Sequence, residues 1–277
     1  GSLAGVGVTN YGPTFGDVFV LKTDSNGNEL SSASYGDDYQ YVKEYGEGIT
    51  QLNNGQFLVA SIYDSAQFEY NRVIKYDSNL NYLWHKDIDG DNNHPRGMLK
   101  VSDGHIIYGT EISSERSQYF IKIDDDANII WESSHVISGN TDYDLLKAVN
   151  TNDDGFYIVG QFNKTYRGGV VAKFDSNGSE VWTELFEDFL SDGRPLETSI
   201  WDIIETSDGG FLISGQSRAW TDLWANTNSA SENEYMQGPL IIKLDSNFEI
   251  EWRAVYQGGP RYDRLSSCSE ISSGVYT

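Results

Sequence analysis

The segment "VVAKFDSNGSEVW", Val170–Trp182, recurs along the chain, and that recurrence constrains the fold more than any other feature. Each copy is an apolar strand ending in Lys, one further residue and Asp, followed by a short polar turn and a second strand. The other copies are "FVLKTDSNGNEL" from Phe19, "RVIKYDSNLNYLW" from Arg72, "YFIKIDDDANIIW" from Tyr119 and "PLIIKLDSNFEIEW" from Pro239. Their aspartates, Asp24, Asp77, Asp124, Asp175 and Asp245, are spaced by 53, 47, 51 and 70 residues. Self-similarity at this period belongs to four-stranded propeller blades.

A second pattern lies between the copies: "GITQLNNGQFLVAS", "GMLKVSDGHIIYG", "LLKAVNTNDDGFYIVG" and "WDIIETSDGGFLISG". Each is a short alternating strand, an Asn/Asp/Gly turn and a β-rich strand, which reads as a tight hairpin. A blade is therefore strand A ("SIWDIIETS"), B ("FLISGQS"), C ("PLIIKLD") and D ("EIEWRAVY"), and helical periodicity is absent. The 32 residues after Asp245 and the 24 up to Asp24 together make one more blade. "LSSCSEISSGVYT" would supply its strand A and the start of B, and "LAGVGVTN" and "DVFVLKTD" the rest of B and strand C. The expectation is all-β: one propeller domain over residues 1–277, with five four-stranded blades and the closing blade shared between the termini.

Composition narrows the partners. With 38% apolar and 13% aromatic residues the chain can bury a substantial core. No run of about 18 apolar residues is present, so membrane insertion is not expected. The 42 acids against 19 bases leave a formal charge of -23, which repels phosphate backbones and argues against nucleic acid. The single cysteine, Cys268, reads as a small buried hydrophobe.

Asp, a few polar residues and an aliphatic-Trp pair resemble the repeats of quinoprotein-like propellers and the "D-x-N-G-x-x-x-W" repeats of secreted bacterial proteins. The resemblance covers essentially the whole chain. It implies a propeller of secreted or cell-surface location and leaves chemistry open, because such folds host enzymes and adhesins alike. No adjacent-cysteine pair supports a quinone enzyme.

A residue present in every blade is explained by the blade. Lys22, Lys75, Lys122, Lys173 and Lys243 and the five aspartates fall in that class. So do Trp84, Trp131, Trp182 and Trp252, expected between blades, with Leu30 in the equivalent place. Asp-Ser-Asn-Gly is a good turn, and a calcium loop would need its Gly at the sixth position. "DIDGDNN" departs from the repeat: Asp87, Asp89 and Asp91 stand at alternate positions, as suits Ca²⁺. Those three are the candidate metal ligands, with Ca²⁺ the cofactor weighed against a solvated inter-blade loop.

Function is expected where the repeat fails. A–B and C–D turns share one propeller face; B–C and D–A connections share the other and hold the irregular sequence. The longest irregularity is "RAWTDLWANTNSASENEYMQG", Arg218–Gly238, carrying Trp220, Trp224 and Tyr235. Arg72, Arg116, Arg167 and Arg218 read as B–C residues, and Arg96, Arg194, Arg261 and Arg264 as residues in or just after D–A connections. Mixed Arg, Asp and Asn with Trp and Tyr suits sugar recognition. The candidate ligand-binding residues are Trp220, Trp224, Tyr235, Arg96, Arg194, Arg261, Tyr166 and Arg167, on a glycan-binding or adhesive surface module. A glycoside hydrolase or lyase is the second reading, with Asp38, Asp142, Glu197 and Asp263 as carboxylates near the axis and His94 as imidazole. A protein-binding platform is the third. No catalytic residue is assigned, since binding is favoured over enzymatic turnover.

Overall fold

Strands carry the whole of the structure, a computed structural model that describes residues 2–11, 15–36, 42–65, 69–88, 93–111, 117–136, 142–163, 167–189, 195–219, 237–256 and 264–277. Among these residues there is no helix, and the sheets are antiparallel and propeller-like. The chain forms two compact units, Gly1–Val136 and Ile137–Thr277.

The first unit holds three sheets. β1 (Leu3–Tyr11), β2 (Phe15–Thr23) and β3 (Glu29–Tyr35) form the first. The second runs β4 (Lys43–Gln51), β5 (Phe57–Asp64), β6 (Glu69–Tyr76) and β7 (Tyr82–Ile88). The third runs β8 (Asn93–Val101), β9 (Gly104–Glu111), β10 (Ser117–Ile123) and β11 (Ile129–His135). Chain order is spatial order in every sheet, so each is a meander closed by tight turns.

The second unit repeats the plan. β12 (Asp142–Asn150), β13 (Phe156–Asn163), β14 (Arg167–Phe174) and β15 (Glu180–Phe186) form one sheet. β17 (Pro195–Glu205), β18 (Phe211–Ala219), β19 (Gln237–Leu244) and β20 (Ile250–Val255) form the next, with β16 (Asp188–Phe189) added beside β17. β21 (Glu270–Ser272) and β22 (Val275–Tyr276) make a closing hairpin. Strands A to D as read from the repeat correspond to β17 to β20.

In the second sheet the middle strands are apolar on both faces because the first and third sheets stack on either side of them. In β5, Phe57 and Val59 join Val18, Val20, Ile74 and Tyr76 in the seam with the first sheet. The alternate residues Leu58 and Ala60 join Val73, Ile107 and Ile121 in the seam with the third. A similar seam in the second unit holds Val159, Val171, Ile200, Ile213 and Ile242. Fourth strands are half exposed, as outer strands should be.

The repeated aspartate folds its own turn. Asp24 Oδ1 accepts the backbone N–H groups of Asn26 at 2.8 Å and Asn28 at 2.9 Å, and Oδ2 accepts the Asn28 side-chain amide at 2.8 Å. Asp77, Asp124, Asp175 and Asp245 accept backbone N–H groups in the same way. Hydrogen bonds from Asn28 and Asn81 are the leading causes that hold Asp24 and Asp77 below the usual carboxylate range. The turn's fourth residue has positive φ: Gly27 (83°), Leu80 (65°), Ala127 (55°), Gly178 (76°) and Phe248 (65°). Where it is not glycine, its side chain enters a seam.

The repeated lysine bonds the oxygens of a nearby turn. Lys122, Lys173 and Lys243 reach Asp103 (2.6 Å), Asp153 (2.5 Å) and Asp208 (3.0 Å) on the A–B turns of their own sheets. The A–B turn of the second sheet offers Asn53 and Asn54 instead, and Lys75 crosses to the third sheet, to Asp125 O at 2.8 Å and Asp126 Oδ1 at 3.0 Å. Lys22 likewise donates to Ser78 O of the second sheet at 2.8 Å.

Two expectations are corrected by register. Lys75, Lys122, Lys173 and Lys243 pair with Trp84, Trp131, Trp182 and Trp252, but Lys22 pairs with Ser31. Leu30 is the residue that the register skips and is 56% exposed, so it does not fill the tryptophan's place. Trp84 and Trp182 do pack into seams, whereas Trp252 is 39% exposed beside Tyr276. Second, β1 pairs along the whole of β2, from Leu3↔Thr23 to Tyr11↔Phe15. It is a full second strand, so Val275–Tyr276 supplies no part of it.

Candidate functional site

Each complete first strand contains one extra residue. Register shifts between Gly46 and Gly48, Pro95 and Gly97, Leu145 and Lys147, and Ile200 and Asp202 leave Glu47, Arg96, Leu146 and Trp201 outside the ladder. A β-bulge turns one side chain away from both packed faces and is a recurrent way to aim a residue. Bulged positions at one level of successive first strands are therefore candidate contact points.

In the first unit, β4 and β8 approach so closely that a Cβ on Gly48 would stand 2.4 Å from Met98 N and 2.8 Å from the Gly97 carbonyl carbon. That glycine contact sets Glu47 and Arg96 in neighbouring strands, and both are exposed. Loss of hydration raises the Glu47 pKa, with Arg96 and His94 pulling in the opposite direction. His94 Nε2 lies 2.5 Å from Glu69 Oε1 without hydrogen-bond alignment.

In the second unit the corresponding contact between β12 and β17 is ionic: Lys147 Nζ to Asp202 Oδ1, 2.7 Å. Asp202 is 2% exposed and also accepts the backbone N–H groups of Ile203 at 3.0 Å and Cys268 at 3.2 Å. Beside it, the Arg264 guanidinium stacks 4.2 Å from the centre of the Trp201 ring, a cation–π contact. The Trp201 indole N–H is buried with no partner among the described residues. Cys268 is held inert, its thiol pushed up to about 11 by burial.

A second polar group closes the seam between the first and second sheets. Arg72, 5% exposed, donates to Glu44 Oε1 at 2.6 Å and grips Asp87 through Nε and Nη2 at 2.6 and 3.2 Å. Its guanidinium lies 4.4 Å from the Tyr63 ring centre, and Tyr63 stacks on Tyr70 at 4.8 Å. Arg72 therefore sits inside β6 with its donors engaged, and the same correction of place applies to Arg167 and Arg218, which belong to β14 and β18, and to Arg96 in β8. The middle strands continue further toward the irregular face than the repeat indicates, since charged and aromatic residues can pair there within the sheet.

Of the candidate residues, Arg96 is an exposed bulge residue and Arg167 begins β14. Trp220, Trp224, Tyr235, Arg194, Arg261 and Tyr166 lie outside the described residues. So do Asp38, Asp263, Asp89 and Asp91, while Asp87 ends in β7 with both oxygens on Arg72. Among the described residues no group of three His, Cys, Asp or Glu side chains could hold a metal. Glu47, Trp201 and the Arg72 box were not read from the sequence. The signal for the first two was an extra residue just before the apolar pairs of "EGIT" and "WDII".

No protein-family model matches the chain, and no curated protein does. Among solved structures, a protein of unknown function from Dyadobacter fermentans is similar at a TM-score of 0.53 and 10% identity, over 90% of this chain and 74% of that one. A neuraminidase-like protein of A/little yellow-shouldered bat/Guatemala gives 0.46 and 9%, over 87% and 79%. A member of the DUF4221 family from Bacteroides vulgatus gives 0.42 and 11%, over 93% and 86%. The first likeness is one of fold; the other two are too distant to carry an argument.

Proposed function

We propose that this chain is a carbohydrate-binding or adhesive module, secreted or at the cell surface, built on a five-bladed propeller that holds its ligand on the face of the B–C and D–A connections. In this reading the closing blade takes its first strand from the C-terminal segment and the other three from β1 to β3. A cavity of about 190 Å³ between the first and second sheets is lined by Leu3, Ala4, Ile49 and Phe57, beside β1, the outer strand of the first sheet among the described residues.

One observation carries the functional reading: polar groups at the tight turns are used by the fold, whereas those at the first-strand bulges are not required by it. At the tight turns the repeated aspartates are consumed by their own backbone. At the bulges, Glu47 with Arg96 and Trp201 with Arg264 offer charge and an aromatic ring that no ladder requires. Flat rings and charged forks are the groups that bind sugar C–H faces and hydroxyls. Trp220, Trp224 and Tyr235 of the long insertion and Arg167, Arg194, Arg261 and Tyr166 complete the proposed surface.

Screening on a glycan array beside a hydrolysis assay on the same polysaccharides tests the proposal. Binding without turnover is expected. Arg96→Ala and a Trp220→Ala/Trp224→Ala double variant should each weaken binding about tenfold or more, since stacking or a charged hydrogen bond contributes about 1–3 kcal/mol. Turnover of a bound glycan, or unchanged affinity in both variants, would overturn it.

A further inference from the structure

The last strand of each of the five larger sheets skips one residue: Leu30, Leu83, Ile130, Val181 and Glu251 stand between consecutive paired positions. In β7 the skip at Leu83 has a consequence for its neighbours. Tyr82 pairs with Tyr76 and His85 with Ile74, so residues three apart share one face. In the first and fourth sheets the same two positions hold simple polar pairs, Ser32 to Glu29 at 2.7 Å and Thr183 to Glu180 at 2.6 Å. The second sheet departs from that pattern with a phenol and an imidazole.

A third donor arrives from the first sheet. Tyr35 stacks on Tyr82 with ring centres 5.4 Å apart and 15° between planes. Tyr35 Oη lies 2.8 Å and Tyr82 Oη 3.0 Å from one atom, His85 Nδ1. That nitrogen has one lone pair or one proton to share, so it serves one phenol well at a time. Arg72 Nη1, 3.4 Å from Tyr35 Oη, supplies a positive charge beside the oxygen. Tyr76, paired opposite Tyr82, is fully buried with a hydroxyl that has no partner among the described residues.

We propose that Tyr35, Tyr82 and His85 form a binding site for a ferric ion, held by two phenolate oxygens and the Nδ1 of the imidazole. Donors about 2.0–2.1 Å from a metal and at right angles to one another stand about 2.9 Å apart, which matches both observed separations. Phenolate is a hard anionic donor with an ordinary pKa of about 10, and a trivalent ion has the charge to displace its proton near neutrality. Binding releases the two phenol protons to solvent and leaves three coordination positions to water or an anion. Tyr82 and His85 are exposed, so the ion has a path in. The formal charge of -23 favours a cation over the protein surface as a whole.

The test uses the whole chain, freed of metal by a chelator and titrated with ferric nitrilotriacetate. One iron per chain and a visible phenolate-to-iron charge-transfer band are expected. Tyr82→Phe and Tyr35→Phe should each abolish the band or weaken binding at least tenfold, and His85→Gln should weaken it as much. Tyr70→Phe, in the nearby stacked pair, should keep both. Melting temperatures confirm that each variant is folded, and Tyr82, 48% exposed, is the replacement least able to disturb packing. No band with the parent protein, or a band that survives in both folded Tyr→Phe variants, overturns the site.

Discussion

At the fourth position of the repeated turn the backbone demands positive φ, and five residues answer in two ways. Gly27 meets the demand without strain, and a Cβ there would touch nothing within 4 Å. Gly27→Ala should therefore cost about 1–2 kcal/mol, from left-handed strain alone. Leu80 accepts that strain and buries its side chain to 3% exposure between Val18, Val20 and Ile74. Phe248 does the same against Trp182 and Phe211, with ring centres at 4.0 and 4.1 Å. Leu80→Gly relieves the backbone but removes a packed side chain whose truncation alone is worth about 2–5 kcal/mol, so a net loss of about 1–3 kcal/mol is expected in urea unfolding. A Leu80→Gly protein as stable as the parent would show that the side chain is incidental.

Among elements, the middle strands were legible in the sequence and the edges were not. Lys-x-Asp and the apolar run before it mark the next-to-last strand of each of the five larger sheets, because burial leaves little freedom of composition. The fourth strands mislead by one residue wherever a bulge intervenes. Leu30 looks like the counterpart of tryptophan and is the skipped residue, with Ser31 in the packing register. Leu30→Ser should change stability by no more than about 0.5 kcal/mol. Trp182→Ala, which empties part of the seam shared with Phe248 and Tyr157, should cost about 3–5 kcal/mol. Chemical denaturation of the two variants distinguishes them, and a large loss for Leu30→Ser would reinstate the unshifted register.

For the whole molecule, an excess of acid is compatible with folding because many carboxylates bond backbone N–H groups or buried lysines. Asp153 is pulled down to about 2, first by its hydrogen bond from Lys173 and then by Thr151. Bonds from Thr206 and the Gly210 N–H, with Lys243, hold Asp208 further below the usual range. A carboxylate depressed on folding adds stability above its unfolded pKa, near 3.9, and that stability is lost as pH falls through the folded value. Unfolding stability should therefore decline from about pH 4 toward pH 2. Asp153→Asn should lower stability at neutral pH and flatten that decline; an unchanged acid slope would remove Asp153 from the account.

The repeat by itself determined an all-β chain of meandering antiparallel sheets, several of them four-stranded, because period, turn chemistry and apolar runs are local properties that any fold must satisfy. It also separated the repeated Asp and Lys from functional residues, since a group needed in every sheet is needed by the sheet. Only the tertiary structure decided what each lysine bonds, which residue a bulge skips, and that Tyr35 of one sheet meets Tyr82 and His85 of the next. Those outcomes depend on which strands become neighbours, and a one-residue change of register exchanges a packed side chain for an exposed one while leaving composition and period untouched.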